Sequence, residues 1–207
     1  MSQADNTRVP PDREQITGLV LAGGRGSRMG GVDKGLQPLD GLPLALHALQ
    51  LLTPQVGGTA INANRHLVQY AAFGVPVWPD VLPDYPGPLA GLITGLRHCP
   101  TPWLISVPCD CPRFPADLVQ RLVDALVRDG AELAVAATRE GADVRLQPVF
   151  MLLPTTLADD LDAQVRDGER KVARWLARHR VATAVFDDGD AFANANTAEE
   201  LAQFSRR

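Results

Sequence analysis

The sequence predicts an α/β domain, a mainly parallel sheet with helices on both faces. Three observations lead there. Short apolar runs of strand length alternate with longer segments of helical density through most of the chain. The first run, Ile16 to Leu21, stops abruptly at Ala22-Gly23-Gly24, as a buried strand does on entering a glycine loop. The 207 residues, 45% hydrophobic and 21% charged, suit one soluble domain whose core needs no disulfide or metal staple.

The elements follow in order. Residues 1–15 are polar, carry Pro10-Pro11 and read as a disordered tail, leaving 16–207 as the domain. After the glycine loop, Asp40-Gly41 signals a turn, and Pro43 to Leu52 has the apolar density of a helix. Thr59 to Ile61 reads as a second strand running into Asn62-Ala63-Asn64, and Val75 to Trp78 as a third extended piece. The proline-rich stretch from Pro79 to Pro88 must be a surface loop, because proline lacks the N–H that a ladder or helix needs. Leu89 to His98 reads as a helix, and Trp103 to Val107 as a fourth strand stopped by Pro108.

The clearest helix is Pro115 to Asp129. Leu118, Val119, Leu122, Val123, Leu126 and Val127 make one apolar stripe, and Gly130 suits the position just past the end. Leu133 to Ala137 and Val149 to Leu153 are further strands. Two helical segments follow, Thr155 to Arg166 and Glu169 to Arg178, then a last strand at Val181 to Phe186 and a last helix at Thr197 to Phe204.

Composition excludes several functions. Twenty basic and 24 acidic residues give a net charge of −4, so the basic footprint of a nucleic-acid binder is missing. No stretch approaches the roughly 20 apolar residues of a membrane span, and the first residues lack the apolar segment of a secretory signal. Three cysteines are too few for a secreted disulfide scaffold. A cytoplasmic monomer is the expectation.

In a parallel α/β sheet, ligands gather at the carboxyl ends of the strands. The loops to inspect therefore follow Leu21, Ile61, Trp78 and Val107. The first reads Leu21-Ala22-Gly23-Gly24-Arg25-Gly26-Ser27-Arg28-Met29-Gly30-Gly31-Val32-Asp33-Lys34. Its glycines let main-chain N–H groups approach an anion. It is not a dinucleotide GxGxxG loop, since Met29 stands at the sixth position from Gly24. Nor is it a P-loop, since Lys34 follows Asp33 and precedes Gly35. A long glycine loop with two cations, Arg28 and Lys34, remains; the ordinary alternative is a surface turn.

The pattern Leu-Ala-Gly-Gly, then Arg28-Met29-Gly30, then Lys34 resembles the signature of MobA-like nucleotidyltransferases, and within them the molybdenum cofactor guanylyltransferases. The resemblance continues in order through Asn62-Ala63-Asn64-Arg65-His66, Pro79-Asp80, Asp84 to Gly91, Pro108-Cys109-Asp110 and Asn194-Ala195-Asn196-Thr197. It covers nearly the whole chain from Ile16. It implies a Rossmann-like, single-domain fold and the transfer of GMP from GTP to the terminal phosphate of molybdopterin, with release of pyrophosphate. Cytidylyl transfer, transfer to a sugar phosphate, and a non-catalytic module that delivers the cofactor to molybdoenzymes are the competing readings.

By the same resemblance Asp110 holds Mg²⁺, Lys34 bridges the GTP phosphates and Arg28 stabilises charge developing on them. Leu21, Ala22, Gly23, Gly24, Asn62 and Asp80 contact the nucleotide. The acceptor is expected near Arg145, Gln147, Asn194 and Asn196, and near a basic stripe of Arg170, Arg174 and Arg178 at helical spacing. The ordinary readings are a solvated helix face for the stripe and a helix cap for the asparagines. Cys109 and Cys111 flank Asp110, and simple packing is the expectation for both.

Overall fold

The computed structural model describes residues 10–24, 32–82, 87–141, 143–195, 200–201 and 204. Its strands are β1 (Ile16–Leu21), β2 (Pro38–Leu39), β3 (Leu42–Pro43), β4 (Gly58–Asn62), β5 (Val77–Trp78), β6 (Trp103–Pro108), β7 (Leu133–Glu140), β8 (Asp143–Pro154) and β9 (Val181–Phe186). Its helices are α1 (Leu44–Leu52), α2 (Leu67–Ala71), α3 (Pro88–His98), α4 (Leu118–Asp129), α5 (Ala158–Arg166) and α6 (Val172–Leu176). Seven strands form one sheet in the order β5-β4-β1-β6-β8-β7-β9. β1 pairs in parallel with β4 and β6, β4 with β5, and β7 with β9; β8 alone runs against its neighbours.

Helices cover both faces, as the element order predicts. One core layer joins β-strand residues such as Val20, Ile61 and Val107 to Ala45, Leu49 and Leu52 of α1, Tyr70 of α2 and Leu122 of α4. The other joins Leu19, Leu104 and Met151 to Leu92 and Ile93 of α3, Leu161 of α5 and Trp175 of α6. A small third cluster sets Ala195 on Leu39 and Leu44, with Leu201 and Phe204 against it, so the C-terminal segment seals the β2–α1 corner. At the sheet edge, Arg121 and Arg128 of α4 donate to the carbonyls of Val185 and Thr183, which occupies acceptors that an open strand would offer to another chain.

Several expectations change. Residues 1–9 lie outside the described residues, but the expected tail ends before Gln15. Arg13–Gln15 forms a 3₁₀ turn, Arg13 Nε donates to Val56 O at 3.0 Å, and Glu14 lies against Gly57. The two strands expected at 133–137 and 149–153 are one long hairpin with a bulge between Val135 and Ala136. The helix expected at 169–178 shrinks to α6, because Gly168 turns the chain at a φ of 98° and Lys171 is extended. Most of the helix expected at 197–204 lies outside the described residues; Glu200, Leu201 and Phe204 are helical. Among the described residues, no helix is long and apolar enough to cross a membrane.

All three cysteines are free thiols. Cys109 and Cys111 are buried in the first core layer, which bears out the packing expectation. Burial, with Asp110 and Asp33 nearby, pushes the Cys109 thiol well up, and burial pushes Cys111 up to about 12. Both thiolates are therefore suppressed, and a suppressed thiolate does not react. At pH 8 a disulfide reagent should label no more than one thiol per native chain, the half-buried Cys99, and all three after unfolding. Rapid native labelling of two or three would contradict this burial.

Helix α3 crosses the sheet closely at Gly95. A Cβ there would stand 2.4 Å from Leu19 Cδ2 and 2.9 Å from Leu104 Cδ2, both side chains without exposure. Overpacking of this kind costs about 1–3 kcal/mol, against about 1 kcal/mol gained in helix propensity. Gly95→Ala should lower the urea midpoint with an unchanged slope; a midpoint at or above that of the parent would show that α3 has room to move.

Candidate functional site

The parallel register builds the site. Leu21, the last residue of β1, pairs with Asn62 of β4 on one side and with Pro108 of β6 on the other. The loops that leave these three residues therefore start side by side. Cys109 N–H donates to Leu21 O at 3.1 Å, and Ala22 N–H donates to Asn62 O at 2.8 Å, so the pairing runs one step past each strand end.

Lys34 and Asp110, separated by 76 positions in sequence, meet here. Lys34 Nζ donates to Asp110 Oδ2 at 3.2 Å. The side chains are 28% and 17% exposed, which leaves both reachable from solvent while the surrounding protein weakens dielectric screening. Lys34 begins a 3₁₀ turn, Lys34–Leu36, capped by Asp33, whose side chain accepts from Gly35 N–H. Asp110 sits two residues beyond β6, and its carbonyl accepts from Ala195 N–H at 2.7 Å, which ties the C-terminal loop to the site.

Beside this pair lies an amide–carboxylate network. Asn62 is buried, and its amide donates to Trp78 O at 2.9 Å and to Asp80 Oδ1 at 2.8 Å. Asn64 donates to Asp80 Oδ2 at 2.8 Å and to Gly23 O at 3.3 Å, and accepts from Asp80 N–H at 2.8 Å. Two amides thus hold one carboxylate, one on each oxygen. The network also needs close backbone. A Cβ at Gly23 would stand 2.9 Å from Asn62 Oδ1, and one at Gly91 of α3 2.4 Å from the same atom. His66, just past the network, holds a left-handed φ of 52°, uncommon for a residue with a side chain.

The sequence-predicted residues divide as follows. Leu21, Ala22, Gly23, Gly24, Lys34, Asn62, Asp80 and Asp110 share the carboxyl edge of β1, β4 and β6. Arg28 and Asn196 lie outside the described residues. Gln147 and Arg145 are in the β7–β8 hairpin, where Gln147 Nε2 donates to Thr138 Oγ1 at 3.1 Å and Arg145 pairs with Glu140 at 3.4 Å. Asn194 lines a cavity of about 500 Å³ together with Arg113, Asp188, Asp190, Glu200 and Phe204. Arg113 lies 5.5 Å from the Phe204 ring centroid.

The basic stripe does not form as expected. Arg170 precedes α6 and donates to the carbonyls of Val165 and Glu169 at 2.7 and 2.8 Å. Arg174 is in α6, and Arg178 lies past its end and donates to Gln164. This segment leads to the amino end of β9, where Arg180 O accepts from Glu132 N–H just before β7. The Lys34–Asp110 pair stands at the opposite, carboxyl end of the parallel strands.

Asn64, Gly91, Asp33 and Tyr70 were given no role from sequence. Asn64 was legible, because alternate residues of an extended segment face the same side, and Asn62 and Asn64 are such a pair. Tyr70 had no comparable signal, since α2 is only five residues long.

Among the described residues, no group of three or more histidine, cysteine or carboxylate side chains could cage a metal. One hard carboxylate beside a lysine instead fits an ion that brings most of its own ligands, as Mg²⁺ does with phosphates and water.

Comparison with known proteins gives the family. The family model of the MobA-like NTP transferase domain matches residues 18–183. A molybdenum cofactor guanylyltransferase of Bordetella petrii is 58% identical over 192 residues, 93% of this chain and 98% of its own. One of Cupriavidus necator is 55% identical over 190 residues, 91% and 96% of the two chains. Solved structures show the same fold. Molybdopterin-guanine dinucleotide biosynthesis protein A of Archaeoglobus fulgidus superposes with a TM-score of 0.73 at 21% identity, covering 92% of this chain and 97% of that one. A 4-diphosphocytidyl-2C-methyl-D-erythritol synthase of Anaerococcus prevotii reaches 0.75 at 9% identity, over 94% and 98%. With Gly23, Gly24, Lys34 and Asp110 at one sheet edge, and with identities above one half along nearly its full length, the chain belongs to the MobA-like NTP transferase family, among the molybdenum cofactor guanylyltransferases.

Proposed function

We propose that this nucleotidyltransferase moves GMP from GTP to the terminal phosphate of molybdopterin. An oxygen of the acceptor phosphate attacks the α-phosphorus of GTP, the bond to the β-phosphate oxygen breaks, and pyrophosphate leaves. The acceptor is a phosphate monoester with a second pKa of about 6, so it is already anionic at neutral pH. Neither a general base nor a covalent nucleophile is required. The difficulty is bringing two polyanions together in line, which calls for positioned charge rather than proton transfer.

The observation that carries this reading is the Lys34–Asp110 pair at 3.2 Å on the carboxyl edge of the sheet. The two groups neutralise each other in the free site. With a triphosphate and Mg²⁺ bound, Lys34 would contact phosphate oxygens and Asp110 would hold the ion, which would supply neutralisation of the triphosphate and of the departing pyrophosphate. Gly23 and Gly24 leave room for main-chain N–H groups to approach the phosphates, and Arg28 adds a cation from the same loop.

Asp80 supports the choice of base. With each oxygen already held by one amide, the carboxylate is fixed in orientation and keeps acceptor capacity for a further donor. Guanine offers adjacent N–H donors to such a group, whereas adenine offers none at the matching positions. Asn62 acts through Asp80 by fixing it.

For the acceptor, Asn194 and the cavity it lines adjoin Asp110 through the Ala195–Asp110 hydrogen bond. That loop, with Asn196 and with Arg145 and Gln147 of the hairpin, is the favoured side of entry. Arg170 and Arg174, near the amino end of β9, then act at most on a distal part of the acceptor.

Asp110→Asn keeps the shape and removes the charge. It should cut turnover by about a hundredfold or more, as the loss of a single transition-state charge contact does. Pyrophosphate release in Mg²⁺ with GTP and molybdopterin measures this; parental turnover with unchanged Mg²⁺ dependence would remove Asp110 from the reaction. Calorimetric titration in Mg²⁺ should show GTP binding more tightly than CTP, and Asp80→Ala should narrow the gap. Equal affinities in the parent, or a preference for CTP, would overturn the guanylyl reading.

A further inference from the structure

Beneath Lys34 lies a buried device that the phosphate chemistry itself does not use. Asp33 is 9% exposed. Its Oδ1 accepts from the Tyr70 hydroxyl at 2.6 Å and from Gly35 N–H at 3.2 Å. Its carbonyl accepts from Leu36 N–H at 3.3 Å and from the Gln37 side chain at 3.4 Å. Tyr70 has no exposed surface, and burial together with the Asp33 contact pushes its pKa far up, so it remains an O–H donor. The carboxylate accepts and the phenol donates, with no ambiguity of role.

The device is closely fitted. A Cβ at Gly35 would lie 2.4 Å from the Tyr70 hydroxyl oxygen, so a side chain at position 35 would drive the phenol off Asp33. Tyr70 is itself braced by Phe73, edge to face at 5.8 Å between ring centroids. The helix that carries it, α2, follows directly on the Asn62–His66 segment that holds Asp80. Two loops of the site, 32–36 and 62–66, are thus joined through one hydrogen bond.

A lysine side chain has several freely rotating bonds, so the position of its ammonium depends on how firmly its own main chain is held. Asp33 fixes that main chain by capping the turn Lys34–Leu36. We propose that Tyr70 is a positioning residue for Lys34. Its hydroxyl, bound to Asp33, locks the 33–35 main chain so that Lys34 Nζ stands at Asp110 and meets the incoming triphosphate. The assignment rests on the reading of Lys34 as the phosphate contact. It makes Gly35 a second requirement, since only glycine leaves the phenol its place.

The test is a double-variant cycle on the full chain: parent, Tyr70→Phe, Lys34→Ala and the pair together. Single-turnover rates with GTP, Mg²⁺ and molybdopterin are measured beside the thermal midpoint of each protein. Tyr70→Phe should slow transfer by about tenfold where Lys34 is present, since a hydrogen bond to a charged group is lost, and by less than about twofold on top of Lys34→Ala. A tyrosine that merely stabilises the fold would slow both backgrounds equally, and that result overturns the proposal. If Tyr70→Phe is unfolded at the assay temperature, Asp33→Ala takes its place in the cycle and must show the same coupling to Lys34. The parent protein keeps the two readings apart. If it turns over CTP and not GTP, the guanylyl reading fails and the cycle is run with CTP, where coupling or additivity decides the role of Tyr70 on its own.

Discussion

The register of β1 between β4 and β6 is the constraint on which the site depends. Leu21 faces Asn62 on one side and Pro108 on the other, so three loops far apart in sequence leave the sheet at one level. Parallel pairing alone makes this possible, because each strand then presents its carboxyl end to the same edge. A slip of one residue in β1 would exchange the faces of Leu19 and Val20, which belong to opposite core layers. Burial of both layers therefore fixes the register, and the register brings the loops that carry Lys34 and Asp110 out at one edge of the sheet.

Electrostatics then does what geometry alone does not. The site holds a cation and an anion in contact, so the free protein leaves neither charge unpaired at a partly buried edge. The Asp80 network works on the same principle, with a carboxylate held by neutral amides rather than by a cation. Asp80 is thus held by neutral donors and Asp110 by a cation.

Much of this was legible in the sequence. β1 and β9 stand at the predicted bounds, because both are apolar runs cut off by glycine or acidic residues. Lys34 and Asp110 were legible as candidates, one after a glycine loop and one past a buried strand. Other parts were not. The outer half of the β7–β8 hairpin is exposed, with Arg139, Glu140, Asp143 and Arg145 on it, so it lacks the apolar alternation that marks a strand. Helix α2 exposes Val68 at 86%, and five residues are too few for a stripe. The arginine stripe misled because spacing of four residues implies a face only where a helix exists, and the chain at Arg170 is not helical. Asp33 carries no signal of its own in the sequence; its hydrogen bond comes from Tyr70, 37 positions away, which no local pattern connects to it.

If Lys34 and Asp110 give up each other for the substrate, a crystal structure with Mg²⁺ and a non-hydrolysable GTP analogue will show it. The metal should then lie on Asp110, Lys34 Nζ within hydrogen-bond distance of a phosphate oxygen, and the guanine edge on Asp80. A triphosphate bound elsewhere, with the Lys34–Asp110 contact still intact near 3.2 Å, would contradict it.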